Sequence, residues 1–272
     1  MPELPEVETI KNVLKPYLTG RTITAVRVNN GSVVARPAAE DFAVSLSGQT
    51  VSDFTRRGKF LTLHFESGDC VVLHLRMTGC LTVERKDAPF SKHTHLVFSL
   101  DDGNELRYED ARRFGKFWYI ESATQDTFSG KNKLGPEPFE ITVEYLKPRI
   151  VKSKQPLKTL LLDQSIIAGI GNIYSDEICF ASGILPYKAG NTLSDDELSR
   201  LCGVISERIT YFIDKNEITF AEYTQTKGKD YKNTPYLQIY GKNGTPCPIC
   251  GAPFDGRVIG GRSSVFCKNC QR

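Results

Sequence analysis

Four cysteines near the end of the chain constrain its folding more than any other feature. They form two Cys-x-x-Cys pairs, with sixteen residues between Cys250 and Cys267. Two such pairs bring four thiolates to one tetrahedral Zn²⁺, and a zinc ion whose four positions are all filled by protein is structural. Redox disulfides are the alternative, and they fit a reducing compartment poorly. The sequence therefore predicts one structural zinc ion, with the ligands Cys247, Cys250, Cys267 and Cys270.

The segment between the two cysteine pairs, residues 257–266, is long enough for a β-hairpin with Arg262 near its tip. A guanidinium presented in this way commonly meets phosphate, because its donors form a planar fork. A solvated tip explains the same residue, and the sequence leaves both possibilities open. The other cysteines stand singly, mostly within apolar runs, which predicts buried free thiols at Cys70, Cys80, Cys179 and Cys202.

Size and composition predict an ordinary globular protein. A chain of 272 residues is long enough for two domains that each bury a core. Its 40% hydrophobic and 25% charged residues are typical of that class. The apolar runs are short and flanked by charge, so no segment has the pattern of a signal peptide or a membrane span. We therefore expect a cytoplasmic protein that does not enter membranes.

Positive charge is concentrated at the C-terminal end. The formal net charge is only +3, but residues 227–272 carry eight basic and two acidic side chains, which sum to +6. The other 226 residues therefore sum to −3. A polyanion could be bound by this basic segment and by local patches upstream, which the total charge alone does not reveal.

The apolar pattern divides the chain into a β-rich part and a helical part. Residues 22–120 alternate as strands do, with turn signals at 66–69 and 101–104, which predicts a β-sandwich or barrel. From about 142 to 214 the spacing is helical, and Ser194 to Glu197 has the form of a capping box. The predicted fold class is therefore α+β.

Two segments look irregular. Residues 121–141 contain Gly130 and a Gly-Pro-Glu-Pro run, and they are predicted to be a linker. Residues 215–236 are polar and rich in Gly, Lys and Thr, which predicts a mobile loop.

The first nine residues offer an unusual nucleophile. Removal of Met1 would leave Pro2 with a free secondary amine, and Glu3 and Glu6 are close to it in sequence. An α-amino group has a pKa of about 7.7–8.0, so roughly a tenth to a fifth is unprotonated at neutral pH. Such an amine can attack a sugar carbon and form a Schiff base, while a neighbouring carboxylate moves protons.

Helix capping explains the same stretch without any chemistry. Pro5 suits the first turn of a helix, where the acidic residues face the positive end of the dipole. An apolar stripe follows at helical spacing, with Gly20 just beyond its end: Val7, Ile10, Leu14 and Tyr17. Taken alone, the stretch favours this simpler interpretation.

Four further motifs place glycines or basic residues beside apolar ones. Residues 169–174 precede an amphipathic helix, whose start offers N–H groups to a phosphate, although close helix packing explains the glycines equally well. The basic groups at 56–59, 74–77 and 112–115 suit a DNA-binding face, on which cations contact phosphates and apolar wedges enter the base stack. For each group alone, charges at strand ends on a solvated face are the simpler explanation.

The combination of motifs is far more specific than its parts. The motifs, in chain order, are Pro-Glu-Leu-Pro-Glu-Val-Glu-Thr at 2–9, Arg-Arg-Gly-Lys at 56–59, His-Leu-Arg-Met at 74–77, Arg-Arg-Phe-Gly at 112–115, Leu-Gly-Pro-Glu-Pro at 134–138, Gly-Ile-Gly-Asn-Ile-Tyr at 169–174, Gln-Ile-Tyr-Gly at 238–241 and the four-cysteine finger. Together they resemble the formamidopyrimidine-DNA glycosylase (Fpg/Nei) family over the whole chain.

The resemblance implies an architecture. An N-terminal catalytic β-sandwich domain with a leading helix would cover 1–125, and a linker would cover 126–141. A helical domain with a helix–two-turn–helix motif and a lesion-capping loop would cover 142–236, and the zinc finger 237–272. Damaged double-stranded DNA would lie in the cleft between the domains, bound by a monomer.

The resemblance also implies an activity, that of a bifunctional DNA glycosylase and AP lyase acting on oxidised purines. Pro2 would attack C1′ of the damaged nucleotide, Glu3 would handle protons and Lys59 would stabilise charge near the lesion. Glu6 would lie in the active site with a less defined role. β,δ-Elimination would then cleave the strand on both sides of the sugar. This chemistry requires Met1 to be removed, because an amide nitrogen at Pro2 is inert.

The remaining implied residues contact DNA. Met77, Arg112 and Phe114 would fill the gap left by a flipped-out base, which replaces lost stacking. His74, Asn172 and Arg262 would hold the flanking phosphates.

One segment departs from the family pattern. Near Thr219 to Tyr223 the family usually has Thr-x-Arg-x-aromatic, but Ala221 stands where the arginine is expected and Glu217 where glycine is common. The preference for 8-oxoguanine over ring-opened purines is therefore left open.

Two other functions remain as alternatives. An enzyme of the endonuclease VIII type would prefer oxidised pyrimidines, but that branch generally lacks the pair formed here by Arg112 and Phe114. A non-catalytic binder of abasic or bent DNA would have no need of Pro2, Glu3 and Lys59.

Overall fold

The computed structural model describes residues 2–123, 128–228 and 230–272. Contacts group these residues into two units, of which the first contains Pro2, Glu6–Asn132 and Asn216–Lys232. The second contains Glu3–Pro5, Lys133–Lys215 and Asn233–Arg272. The domain boundaries expected from the sequence stay a prediction.

The described part of the first unit contains two sheets. Its strands are β1 (Ile23–Val28), β2 (Val34–Arg36), β3 (Val51–Arg57), β4 (Phe60–Phe65), β5 (Cys70–His74), β6 (Gly79–Arg85), β7 (Thr94–Leu100), β8 (Asn104–Asp110) and β9 (Lys116–Ile120). One sheet has the order β1-β7-β8-β6, and the other has the order β2-β9-β5-β4-β3. Neighbouring strands are antiparallel except β2 and β9. The predicted turns at 66–69 and 101–104 connect β4 to β5 and β7 to β8.

The apolar faces of the two sheets share one core, as the alternating pattern predicts. Tyr108 of β8 and Phe117 of β9 come from different sheets, are fully buried and place their ring centroids 4.7 Å apart. The predicted β-sandwich is therefore confirmed.

The first helix, α1 (Leu4–Leu18), confirms most of the predicted stripe. Val7, Ile10 and Leu14 are at most 1% exposed. The prediction for Tyr17 is wrong, because this side chain is 39% exposed and Leu18 is buried instead. Tyr17 stacks on the ring of Phe220 at 3.8 Å, so it packs on the surface of the unit.

The next two helices are α2 (Ala39–Leu46) and the short α3 (Ser129–Asn132). The latter lies in the predicted linker, whose residues 124–127 fall outside the described residues. A 3₁₀ turn follows at Pro138–Glu140. Within its described residues, the linker thus contains two short helical turns.

Four helices of the second unit follow: α4 (Val143–Ile150), α5 (Leu157–Leu162), α6 (Asn172–Ala181) and α7 (Asp195–Lys215). The predicted capping box is confirmed, since Glu197 N–H donates to Ser194 Oγ at 3.2 Å and Ser194 N–H to the Glu197 carboxylate at 3.0 Å. The apolar face of α7 is buried in the helical core.

The prediction of a loop over residues 215–236 is wrong for part of that segment. Helix α8 (Phe220–Thr226) begins with a second capping box, in which Thr219 and Glu222 satisfy each other's backbone N–H groups. Tyr223 of this helix is fully buried in the core of the first unit. The polar composition concealed the helix because its few apolar side chains pack on elements that are distant in sequence, Phe220 on α1 and Tyr223 on β6.

The predicted hairpin is confirmed by β10 (Asp255–Ile259) and β11 (Arg262–Phe266), which pair antiparallel. Arg262 is exposed and follows Gly260 and Gly261, both at positive φ. The predicted burial of Cys70, Cys80, Cys179 and Cys202 is confirmed as well. Across the described ranges, no helix combines the length and apolar character needed to cross a bilayer.

Candidate active site and DNA-binding surfaces

Pro2 lies in the wall of a cavity of about 260 Å³ in the first unit. The rest of the wall comes from residues 77–80, His93, residues 109–111, Gly228 and Tyr231. A typical ligand pocket is larger, about 300–1,000 Å³, so this cavity suits a group the size of a single base. A cavity of about 670 Å³ beside α2 and β9 contains none of the predicted site residues.

Glu6 and Tyr231 lie close to this cavity. Glu6 is 4% exposed, and Tyr231 forms part of the wall. Burial, together with the nearby charge of Glu6, raises the pKa of Tyr231 well above its ordinary value of 10.0. Tyr231 is therefore a neutral phenol over the physiological range.

Glu3 belongs to the second unit, where it caps the start of α6. Its carboxylate, 1% exposed, accepts hydrogen bonds from the N–H groups of Gly171 at 2.8 Å and Ile173 at 2.9 Å. A β-carbon on Gly171 would lie 2.3 Å from the Glu3 carboxyl carbon, so only glycine permits this approach. Of the two explanations for these glycines, close packing is the one that Gly171 supports, because Glu3 occupies the N–H groups that a phosphate would have met.

Lys59 lies in the tight turn between β3 and β4, after Gly58, which has φ +56°. Arg56 anchors this turn, since its Nη1 donates to the Gly58 carbonyl at 3.1 Å and its Nε donates to Glu8 Oε2 at 2.6 Å. Although burial alone would raise it, hydrogen bonds from Lys11 and Arg56 lower the pKa of Glu8 below 4.5. An ionised Glu8 on α1 thus holds the turn that carries Lys59.

His74 ends β5 and is neutral at physiological pH. Burial, followed by the positive charges of Arg76 and Lys59, lowers its pKa from 6.5 to about 3. Its Nδ1 accepts the Arg76 N–H at 3.0 Å, so the proton of the neutral ring resides on Nε2. The side chain can therefore donate one hydrogen bond to a phosphate without carrying charge.

Met77, Arg112 and Phe114 are brought together on the surface of the first unit. Arg112 Nη1 lies 3.2 Å from Met77 Sδ, and its guanidinium lies 4.4 Å from the centroid of the Phe114 ring. Met77 and Phe114 are 42% and 46% exposed. Such a group of exposed apolar side chains around a cation suits insertion into a base stack.

Asp110, which belongs to none of the sequence motifs, shapes the loop that carries this group. Its carboxylate accepts the N–H groups of Arg112 at 3.0 Å and Gly115 at 2.9 Å and the Tyr108 hydroxyl at 2.9 Å. Arg113 is held at φ +56°, a strained conformation that is often found at functional sites. An Asp two residues before Arg112 is the sequence signal for such a turn.

Asn172 and Arg262 both belong to the second unit. Asn172 is the first residue of α6 and is partly exposed, and its amide has two N–H donors. Arg262 stands at the exposed start of β11. Lys158 and Asp176 fix the strand directly after Arg262, as Lys158 Nζ lies 2.8 Å from Asp176 Oδ1 and 2.7 Å from the Ser263 carbonyl.

Cys247, Cys250, Cys267 and Cys270 form one cluster in which all Sγ atoms lie within 4.8 Å of one another. Two of the separations are 3.8 Å and 3.5 Å. Tetrahedral Zn²⁺ with bonds of about 2.3 Å requires sulfur atoms about 3.8 Å apart, so the donor set fits. A hydrogen bond from the Ala252 backbone lowers the pKa of Cys250 to about 7, whereas burial raises the pKa of Cys267 and Cys270. The thiolates at those two positions therefore depend on the positive charge of the metal. The chain binds one structural zinc ion at this cluster, as predicted.

Three family models match successive regions of the chain. They describe the formamidopyrimidine-DNA glycosylase N-terminal domain at residues 1–117, the H2TH domain of the same enzyme at 134–223, and a zinc finger found in FPG and IleRS at 244–272. Together they account for most of the chain.

Curated relatives match over similar lengths. The formamidopyrimidine-DNA glycosylase of Moorella thermoacetica is 41% identical over 257 residues, which cover 94% of each chain. The enzyme of the same name from Bacillus licheniformis is 40% identical and covers 100% of both chains.

Solved structures agree with the fold. The complex of Lactococcus lactis FPG with FAPY-dG containing DNA has a TM-score of 0.91 at 32% identity and covers 99% of this chain and 100% of that one. The complex of Lactococcus lactis Fpg with abasic-site DNA has a TM-score of 0.92 at 32% identity, with 100% of both chains covered. The relatives and the family models agree with the sequence motifs at both ends of the chain, and the chain therefore belongs to the formamidopyrimidine-DNA glycosylase family.

Proposed function

We propose that this chain, a DNA glycosylase of the formamidopyrimidine family, excises oxidised purines through a Schiff base on Pro2 and then cleaves the strand. The observation that carries the proposal is the position of Pro2 in the wall of a cavity that suits one base. A terminal proline also supplies a secondary amine with a low intrinsic pKa. Met1, which lies outside the described residues, must be absent for this chemistry.

The reaction begins when the lone pair of the Pro2 nitrogen attacks C1′. The bond between C1′ and the base breaks, and the base leaves with that electron pair and takes up a proton. The Pro2 nitrogen loses its N–H proton, the C1′–O4′ bond breaks and O4′ takes up a proton, which opens the sugar ring and gives an iminium ion. The iminium ion acidifies the 2′ hydrogens. Loss of a 2′ proton expels the 3′ phosphate, and a second elimination expels the 5′ phosphate. Water then hydrolyses the iminium ion and restores Pro2.

Glu3 and Lys59 support this sequence in different ways. Glu3 is held by backbone N–H groups, so its carboxylate has a fixed position from which to move protons. Lys59 is carried by the turn that Arg56 anchors. Its ammonium group stabilises the negative charge that develops on the leaving groups.

DNA binding follows from the surface residues. Met77, Arg112 and Phe114 enter the stack where the damaged nucleotide has left it, which offsets part of the unstacking cost. His74, Asn172 and Arg262 donate to the flanking phosphates.

The test is covalent trapping with borohydride, which reduces the iminium ion to a stable amine. Protein with a Pro2 terminus, verified by mass spectrometry, is incubated with duplexes containing 8-oxoguanine, a formamidopyrimidine or an abasic site. We expect a covalent adduct at the size of one chain plus one strand. Pro2→Gly keeps a terminal amine but loses the secondary amine and should trap far less. Absence of any adduct from the verified protein would refute the proposal.

A parallel arm compares 8-oxoguanine opposite cytosine with thymine glycol. The pairing of Arg112 with Phe114 favours the purine substrate. Preferential excision of thymine glycol would instead assign the chain an endonuclease VIII-type specificity. Binding to abasic DNA without an effect of Pro2→Gly would favour a non-catalytic binder.

The chain is further proposed to act as a cytoplasmic monomer. Four buried free thiols and a thiolate zinc site suit a reducing compartment. Measurement of the mass in solution by light scattering tests the monomeric state.

A further inference from the structure

We propose that Lys227 is a positioning residue that holds one wall of the Pro2 cavity in the form required for base excision. The inference rests on the proposed function. Gly228 and Tyr231, which follow Lys227, line the cavity together with Pro2. The side chain of Lys227 is 39% exposed, and it acts through these neighbours.

The segment before Lys227 is docked on strand β6. The hydroxyl of Tyr223, fully buried, donates to the Leu81 carbonyl at 2.7 Å. The thiol of Cys80, which also lines the cavity, donates to the Lys227 carbonyl. These contacts fix the C-terminal end of α8 against strand β6, whose residues Gly79 and Cys80 also line the cavity.

Charge completes the attachment. Lys227 Nζ lies 3.6 Å from Glu109 Oε1 and 3.9 Å from Glu84 Oε1, and these carboxylate side chains are only 8% and 10% exposed. Glu84 has a second cation, since Arg107 Nη1 lies 3.4 Å away. For Glu109, no other cation of the described residues lies within 4.0 Å. A nearly buried carboxylate without its cation is costly, so the pair holds Lys227 in place.

The backbone shows that this position is constrained. Lys227 has φ +51°, a left-handed conformation that a non-glycine residue keeps only when its surroundings enforce it. Gly228 follows at φ +60°, and a β-carbon there would lie 2.6 Å from the Tyr223 hydroxyl. A tight turn held by side-chain contacts therefore leads into the cavity wall.

Glu109 belongs to the same cavity wall. The Lys227–Glu109 pair thus joins two parts of the wall that are far apart in sequence. An extruded base that fills the cavity contacts both parts of the wall, so its binding depends on the position of each. An abasic sugar brings no base, so its cleavage at Pro2 does not depend on the part of the wall that the Lys227–Glu109 pair holds in place.

The experiment compares two substrates. Lys227→Met and Lys227→Arg are assayed on a duplex with 8-oxoguanine and on one with a preformed abasic site, with borohydride trapping as a second readout. If the wall is correctly placed in about one molecule in ten without the pair, the KM for the base lesion rises about tenfold while kcat changes little. Cleavage of the abasic duplex should stay at the wild-type rate, and Lys227→Arg should restore most of the loss.

Lys232→Met is the matched control, because Lys232 forms an exposed pair with Glu222 at 2.7 Å in the same region. It should match wild type on both substrates. Glu109→Gln removes the buried charge, so adding Lys227→Met to it should have a smaller effect than in wild type. If Lys227→Met alone folds poorly, this double variant provides the comparison instead, because it leaves no unpaired charge at position 109.

Unchanged excision by Lys227→Met would overturn the proposal. Equal losses on both substrates would also overturn it, because they indicate general damage to the fold. If the wild-type protein cleaves both duplexes and Lys227→Met behaves as wild type does, only the role of Lys227 is refuted. A wild-type protein that cleaves neither substrate refutes the proposed function, and this inference with it.

Discussion

His74 illustrates how the fold can move the pKa of a single side chain far from its ordinary value. Burial and two nearby cations lower its pKa to about 3, and the Arg76 N–H fixes its tautomer. A phosphate contact from this residue is therefore a hydrogen bond from a neutral donor. A charged histidine would bind DNA more tightly as the pH falls through 6.5, whereas a neutral one would not.

We predict that His74→Ala weakens DNA binding by about tenfold, equivalent to about 1.5 kcal/mol for a hydrogen bond to a charged group. The ratio of wild-type to variant affinity should be constant from pH 6 to pH 8, because wild-type His74 is neutral over that range. Fluorescence anisotropy at fixed salt measures both affinities. A ratio that grows several-fold below pH 6.5 would contradict the neutral form.

The same shift has a consequence for stability. Because the folded-state pKa of His74 lies below its ordinary 6.5, the unfolded chain binds the proton first as the pH falls. The folded state therefore loses stability between pH 6.5 and about 3, and His74→Ala should reduce that loss.

At the scale of single residues, the sequence shows which side chains can do chemistry better than it shows which groups surround them in the folded chain. The four zinc ligands and Pro2 stand out because of their spacing or position alone. Asp110 and Lys227 did not stand out, since their importance comes from partners on other strands. Such contacts exist only once the chain has folded.

Helix α6 organises the second unit through three acidic contacts. Glu3 occupies the N–H groups at its start. Asp176 accepts from Ser264 Oγ at 2.6 Å on the hairpin, and Glu177 accepts the N–H groups of Gln238 at 3.0 Å and Ile239 at 2.9 Å. The helix thereby connects a predicted catalytic residue to the zinc finger.

We predict that Lys158→Met destabilises the protein by about 3–5 kcal/mol, because it leaves Asp176 buried without its cation. Thermal or denaturant unfolding measures the cost. The rate of amide hydrogen exchange should increase most over wild type at Val265, whose N–H donates to Asp176 at 3.2 Å. Replacing both partners, as in Lys158→Met with Asp176→Leu, should recover much of the stability. Equal losses in the single and double variants would show that the ion pair is not the cause.

The two capping boxes show what local sequence can predict about elements. The box at Ser194 precedes a long apolar stripe, so the sequence predicts the helix that follows. The box at Thr219 precedes only seven helical residues in a polar stretch, so the sequence does not predict that helix. That helix is stabilised by the burial of Tyr223 on a distant strand, which no local pattern reports.

At the scale of the whole molecule, charge distribution matters more than net charge. Zinc binding by four thiolates adds −4 and +2 to a chain of formal charge +3, which leaves about +1. Such a molecule is close to neutral, so net charge alone does not account for DNA affinity, and local cations such as the exposed Arg262 are the predicted source. Each phosphate neutralised by a cation releases counterions and contributes about −0.9 to the slope of log K against log salt.

We therefore predict that Arg262→Ala weakens DNA binding and makes this slope shallower by about 1. The loss should be equal for damaged and undamaged duplexes, because a phosphate contact carries no information about the base. Lys268→Ala is the control, since Lys268 is already paired with Asp255 at 2.9 Å and should leave the slope unchanged. Removal of zinc by a chelator should weaken DNA binding at least as much as Arg262→Ala does, because the hairpin that carries Arg262 depends on the metal for its fold. A weaker affinity with an unaltered slope would show that Arg262 does not meet a phosphate and that its effect is structural.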